Sequence, residues 1–116
     1  MNVFIVGAGP GDPELITVKG QKLLSEADVI IYAGSLVNPA LLDYAKAGCE
    51  IHNSASMTLP QVINVIEDSV KQGKMVVRLH TGDPSIYGAI QEQMDALDKL
   101  GIEYKVVPGV SSFLAT

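Results

Sequence analysis

Val29-Ile30-Ile31 leaves a strand with no polar face. Consecutive β-branched residues suit a strand covered on both sides, the condition of parallel sheets; half-solvated antiparallel strands alternate apolar with polar residues. Val3–Val6, Glu50–Asn53, Met75–His80 and Tyr104–Val107 are the other strand-like segments. Parallel neighbours cannot be joined by tight hairpins and need crossovers, usually helical. The intervening segments supply them. Thr58 and Gln61 form a capping-box pattern ahead of Leu59, Val62, Ile63, Ile66 and Val70, which share one helical face. Ile86, Ile90, Met94 and Leu97 repeat that spacing before Gly101, a C-terminal stop. The order is β-α-β-α-β-α-β-α-β, followed by a helical start from Val110. The pattern predicts an α/β fold: a five-stranded, mostly parallel sheet, doubly wound, with helices on both faces. At 116 residues, 47% of them hydrophobic, the chain is one domain's worth with its own core. It contains no internal repeat, low-complexity tract or linker.

Ligands of such sheets collect beyond the carboxyl ends of the strands, beside a topological switch point. The informative loops are therefore Gly7–Pro13, Ala33–Pro39, Ser54–Pro60, Thr81–Tyr87 and Pro108–Ser112, and all six prolines fall within them. The first contains GAGPGD at 7–12. A dinucleotide fingerprint would require glycine at position 12, where the chain has Asp12, a residue suited to cap a helix starting at Pro13. The acidic residue that would hold a ribose is also missing from the end of the second strand, because Asp28 stands at its beginning. No G-x-x-x-x-G-K-[ST] sequence occurs. A phosphate nest is thus disfavoured. Glycines at 7, 9 and 11 instead let backbone approach an uncharged or cationic ligand.

Three strings, GAGPGDP at 7–13, TGDPSIYG at 81–88 and VPGVSS at 107–112, follow the first, fourth and fifth strands. In that order they resemble the S-adenosylmethionine-dependent tetrapyrrole methylases, and YAGSLVNPALL at 32–42 resembles a corrin-pathway branch of that family. The resemblance runs from Met1 to Thr116 and matches the first of the family's two domains, with the second absent. It implies methyl transfer to a tetrapyrrole, by a homodimer whose cofactor, S-adenosylmethionine, lies between the domains. Carried over by motif, Pro10, Gly82, Asp83, Ile86, Ser111 and Ser112 would contact the cofactor. Tyr32, Gly34, Ser35 and Tyr87, on or beside the matched loops, would meet the substrate. Asp83 fits a ligand bearing a sulfonium and an ammonium. Transfer from a sulfonium needs positioning and water exclusion rather than a nucleophile. No catalytic residue is assigned, and no Ser/His/Asp or Cys/His arrangement has usable spacing.

Simpler roles stand beside these. Asp83 suits a helix cap near Ser85, Ser111 and Ser112 suit a helix start, and tyrosines are commonly half-buried. Cys49 and His52 are three apart at a strand, on opposite faces, so no metal site is expected, and the single cysteine forms no internal disulfide. His80 is a polar strand-end residue with proton handling open to it. A net charge of −5 without a basic run argues against nucleic acid. No signal peptide or long apolar segment is present, so the expectation is a cytoplasmic protein without membrane contact. The tetrapyrrole's carboxylates need local basic residues, for which Arg78 and Lys46 are candidates. Other members of the fold, acting on uroporphyrinogen, another precorrin position, diphthamide or RNA, remain open, as does a non-catalytic domain. Alone, 1–116 is expected to bind cofactor weakly, to self-associate and to show no turnover.

Overall fold

A computed structural model describes residues 3–8, 18–32, 39–81 and 87–107. Five strands, β1 (Val3–Ala8), β2 (Val29–Tyr32), β3 (Glu50–Asn53), β4 (Val76–Thr81) and β5 (Lys105–Val107), form one sheet in the order β3-β2-β4-β1-β5. Every pairing is parallel. The expected fold class holds, and β3 occupies the predicted residues; β2 runs to Tyr32, β1 continues past Val6 through Gly7 and Ala8, and β5 starts at Lys105, one residue after the predicted Tyr104. β4 is offset by one from the predicted span, because Met75 spends its amide N–H on the Asp28 carboxylate, 2.9 Å away, and its carbonyl on Asp28 and Val29.

Helices α1 (Val18–Glu26), α2 (Leu59–Lys71) and α3 (Tyr87–Lys99) flank the sheet. The β1–α1–β2 connection moves along the sheet in one direction, whereas β3–α2–β4 and β4–α3–β5 move in the other. Right-handed crossovers then place α1 on one face and α2 with α3 on the opposite face. The core divides accordingly. Leu23, Leu24 and Ala27 of the α1 region pack with Val6, Ile30, Val77 and Leu79. Val62, Ile63 and Ile66 of α2 and Leu97 of α3 pack with Val3, Val29, Ile31 and Val76. This is the strand alternation of period two, applied to strands apolar on both sides.

The capping box is present: the Thr58 hydroxyl accepts from the Gln61 amide at 3.3 Å, and the Gln61 side chain accepts from the Thr58 amide at 2.8 Å. The β2–β3 connection differs from expectation. It contains a 3₁₀ helix, Pro39–Tyr44, and not an α-helix. Leu42 and Ala45, which both lean on the α1-side core, are three apart, the repeat of a 3₁₀ turn.

Both α2 and α3 end in the Schellman pattern. Gly73 donates to the Val70 carbonyl and Lys74 to that of Ser69; Gly101 donates to Asp98 and Ile102 to Leu97. The two glycines have φ of +74° and +71°. Gly73→Ala would meet no neighbouring atom but would strain the left-handed backbone, and we expect a loss of about 1 kcal/mol in urea denaturation.

At the amino ends of the strands, Asp28 accepts from Lys46 at 2.6 Å as well as from Met75. The Lys46 hydrogen bond, then the Met75 amide, hold its carboxyl below the usual aspartate range. A carboxyl depressed on folding stabilises above the unfolded pKa of about 3.9, and that stability is lost as pH falls through the folded value. Asp28→Asn should therefore flatten the acid limb of a thermal-stability profile below about pH 4 while leaving the neutral-to-alkaline shape unchanged.

Candidate functional site

With every strand parallel, all carboxyl ends lie along one edge of the sheet, and the register sets their heights. Ala8 of β1 stands level with Thr81 of β4, Val107 of β5 with Val6, and Tyr32 of β2 with Leu79. The strands that precede YAGSL, TGDP, GAGPGD and PGVSS are therefore four consecutive neighbours, β2-β4-β1-β5. Their chain order is 2, 4, 1, 5, so the juxtaposition is a product of topology. β1 and β4 are adjacent, yet the helices that follow them pack on opposite faces. Between them lies a switch point, where doubly wound sheets open a crevice for ligand.

Pro10, Gly34, Ser35, Gly82, Asp83, Ile86, Ser111 and Ser112 lie outside the described residues, as does the expected helix start at Asp12-Pro13. Of the other assigned positions, Tyr32 ends β2 and Tyr87 begins α3. The Tyr32 ring is half-buried against the α1-side core, and its carbonyl accepts from the Ser54 hydroxyl at 3.0 Å. That bond fastens the exit of β3 to the exit of β2. The Asn53 side chain then caps a short 3₁₀ turn, Ser54–Ser56, by accepting from Ala55 at 2.9 Å.

The sheet beneath the switch point is polar on one side. Among the described residues the buried polar or charged side chains are Ser69, Arg78, His80 and Gln93. Two of these four, Arg78 of β4 and Gln93 of α3, meet where the helix contacts the strand. Arg78 is 5% exposed and Gln93 6%. The Arg78 Nε donates to Gln93 Oε1 at 2.9 Å, and its Nη1 donates to the carbonyls of Ile31 at 3.2 Å and Leu79 at 3.3 Å. Strand alternation puts His80, 8% exposed, on the same face, and its register partner on β1 is Gly7, which has no side chain to fill the space beside it. Burial pulls the Arg78 guanidinium down to about 10, so it is still a cation at neutral pH.

Sequence reasoning named Arg78 as a basic residue and missed Gln93. A signal existed: Gln93 falls on the stripe of Ile90 and Leu97, a polar residue at a core-facing helical position. The other candidate cation, Lys46, is paired with Asp28 at the amino ends, far from the loops. His52 pairs with Glu50 at 2.7 Å, holding the Glu50 carboxyl below its ordinary range, and Cys49 is half-buried, its thiol pushed up by burial. Among the described residues no group of three or more His, Cys, Asp or Glu side chains could hold a metal ion, and no helix is long and apolar enough to cross a membrane. A shallow depression lined by Asp98, Gly101, Ile102, Glu103 and Tyr104 opens where β5 begins, at the edge away from the loops.

The chemistry of the loop set favours a cationic ligand over phosphate. In GAGPGDP and TGDPSIYG the charged residues are Asp12 and Asp83, both acidic.

Residues 2–116 match the family model of the tetrapyrrole (corrin/porphyrin) methylases. A cobalt-precorrin-4 C(11)-methyltransferase of Methanocaldococcus jannaschii is 66% identical over 113 residues, covering 97% of this chain and 44% of its own length. The X-ray structure of a cobalt precorrin-4 methyltransferase, a cobalamin biosynthetic enzyme, superposes with a TM-score of 0.89 at 52% identity, over 97% of this chain and 47% of that one. A uroporphyrin-III C-methyltransferase from Thermus thermophilus, solved in complex with S-adenosylhomocysteine, gives a TM-score of 0.77 at 37% identity, over 99% of this chain and 47% of that one. The chain spans about half the length of the relatives it matches.

Proposed function

The chain belongs to the tetrapyrrole (corrin/porphyrin) methylases, and from that premise we propose that it forms the amino-terminal half of a methyltransferase acting at C11 of precorrin-4 or cobalt-precorrin-4 in cobalamin biosynthesis. The observation that carries the reading is the convergence of the GAGPGD, TGDP and PGVSS loops on three adjacent strands around the β1–β4 switch point. The 66% and 52% identities to C(11)-methyltransferases, against 44% and 37% to uroporphyrinogen enzymes, favour the C11 position.

S-adenosylmethionine, when bound, supplies an electrophilic methyl group on a sulfonium. Asp83 with Gly82 and Ile86 from the loop after β4, Pro10 from the loop after β1, and Ser111 and Ser112 from the loop after β5 would hold that donor. The Asp83 carboxylate binds its cationic groups, and the glycines of the first loop admit it close to the backbone. Tyr32, Gly34, Ser35 and Tyr87 line the approach of the tetrapyrrole. These residues orient the two reactants and exclude water, which is the main task where the donor is already activated. The enzyme works in the cytoplasm as a homodimer. Ile51 and Val106, large apolar residues exposed on the two edge strands, are consistent with further cover, and sedimentation velocity measures the assembly.

The test is a fusion of this chain to the remaining part of the Methanocaldococcus jannaschii relative. Incubated with S-adenosylmethionine and precorrin-4 or cobalt-precorrin-4, it should yield product one methyl group heavier, with the new methyl at C11 by NMR. Methylation at another ring position would reassign the substrate. A fusion that neither binds S-adenosylhomocysteine nor transfers methyl would overturn the reading.

A further inference from the structure

The buried polar cluster under α3 is not explained by folding alone. A guanidinium inside a central strand is costly to bury, and Arg78 meets neutral acceptors where a carboxylate would stabilise it better. Its neighbour along the same face toward the amino end is Val76, an ordinary core residue. The polar character begins only at the carboxyl end of β4.

The acceptors share one property: each precedes or supports an assigned loop. Ile31 is the residue before Tyr32, which opens YAGSL; Leu79 lies two before Thr81, which opens TGDP; Gln93 is in α3, the helix that TGDPSIYG leads into. Arg78 thereby ties together the ends of two adjacent strands and one helix. A planar fork with five donors can span three such points, and a lysine ammonium cannot match that geometry.

Resting on the methyl-donor reading above, we infer that Arg78, held by Gln93, is a positioning residue that fixes the carboxyl end of β4, from which the donor-binding TGDP loop starts, against the end of β2. It touches neither reactant; it acts through the backbone of Ile31 and Leu79.

Three variants test this: Arg78→Met, Arg78→Lys and the milder Gln93→Met, which leaves Arg78 its two carbonyls. In hydrogen exchange on the chain, Arg78→Met should speed the amides of 30–32, 79–81 and 91–94 at least tenfold, with those of β3 and β5 unchanged. In the fusion protein, at a temperature where denaturation curves show each variant folded, the Kd for S-adenosylhomocysteine should rise at least tenfold for Arg78→Met, with partial recovery in Arg78→Lys. Gln93→Met should weaken it about threefold. A purely structural role would lower stability and leave the Kd of folded protein alone, so a Kd within twofold of the unsubstituted value overturns the proposal. Should the unsubstituted fusion bind no S-adenosylhomocysteine, the donor reading fails, and the exchange data alone decide the positioning role. Acceleration confined to those segments then supports it, and uniform or absent acceleration overturns it.

Discussion

Truncating Leu79 to alanine is expected to remove about 4 kcal/mol of folding free energy. Leu79 is fully buried in β4, with β1 and β2 on either side, and packs in the α1-side core with Val6, Leu24 and Ile30. Its removal costs the transfer of the lost methylenes and leaves a cavity that neighbouring strands, held by their ladders, cannot close. A domain of this size has roughly 5–15 kcal/mol in all, so the variant stands near the limit of folding. Urea denaturation followed by circular dichroism measures the loss, and a midpoint shift equivalent to less than about 1 kcal/mol would show that the site relaxes. Leu79→Met, which conserves volume, should cost less than about 1.5 kcal/mol.

The second large effect concerns ligand. Asp83→Ala in the fusion protein should weaken S-adenosylhomocysteine binding by roughly 10- to 100-fold, the range for losing one hydrogen-bonded interaction with a charged group. Asp83→Asn separates charge from shape: it keeps an acceptor and loses the Coulombic part, so it should fall between the two. Calorimetric titration reads both. Equal affinities across the three proteins would remove Asp83 from the pocket and leave it the role of a helix cap. Methyl transfer at saturating donor should recover more fully than affinity does, because the carboxylate's role is binding and not proton transfer.

Much of this architecture was legible in the residues. The unbroken apolar run of β2 required cover on both faces, and both faces are covered. Thr58 and Gln61 marked the start of α2, and Gly101 the end of α3, because caps are local chemistry that a short window contains. Strand order was not legible. Nothing within β1 states that it lies between β4 and β5, since any two apolar parallel strands can pair. The 3₁₀ helix before β3 was hidden for a different reason: Leu42 and, just past its end, Ala45 pack on the core at a spacing that fits an α pattern as well as a three-residue one. The motif loops could be read by resemblance, and the topology supports their convergence by making their strands neighbours. The Arg78–Gln93 contact joins positions fifteen apart in sequence through a strand-to-helix packing that only the fold creates.

The strand order has a further consequence for biosynthesis. Both neighbours of β1 lie about 70 or more residues further along the chain: Val3 pairs with Val76, and Phe4 with Lys105. As the nascent chain leaves the ribosome at roughly 5–20 residues per second, β1 waits several seconds with its apolar residues and both edges unpaired. β2 and β3, adjacent in sequence and in the sheet, can associate early, but the ladder cannot reach β1 until β4 arrives between them. The strand that carries the glycine turn is thus made before the other four and is among the last placed, which makes β1 the natural client of a chaperone that binds extended apolar chain.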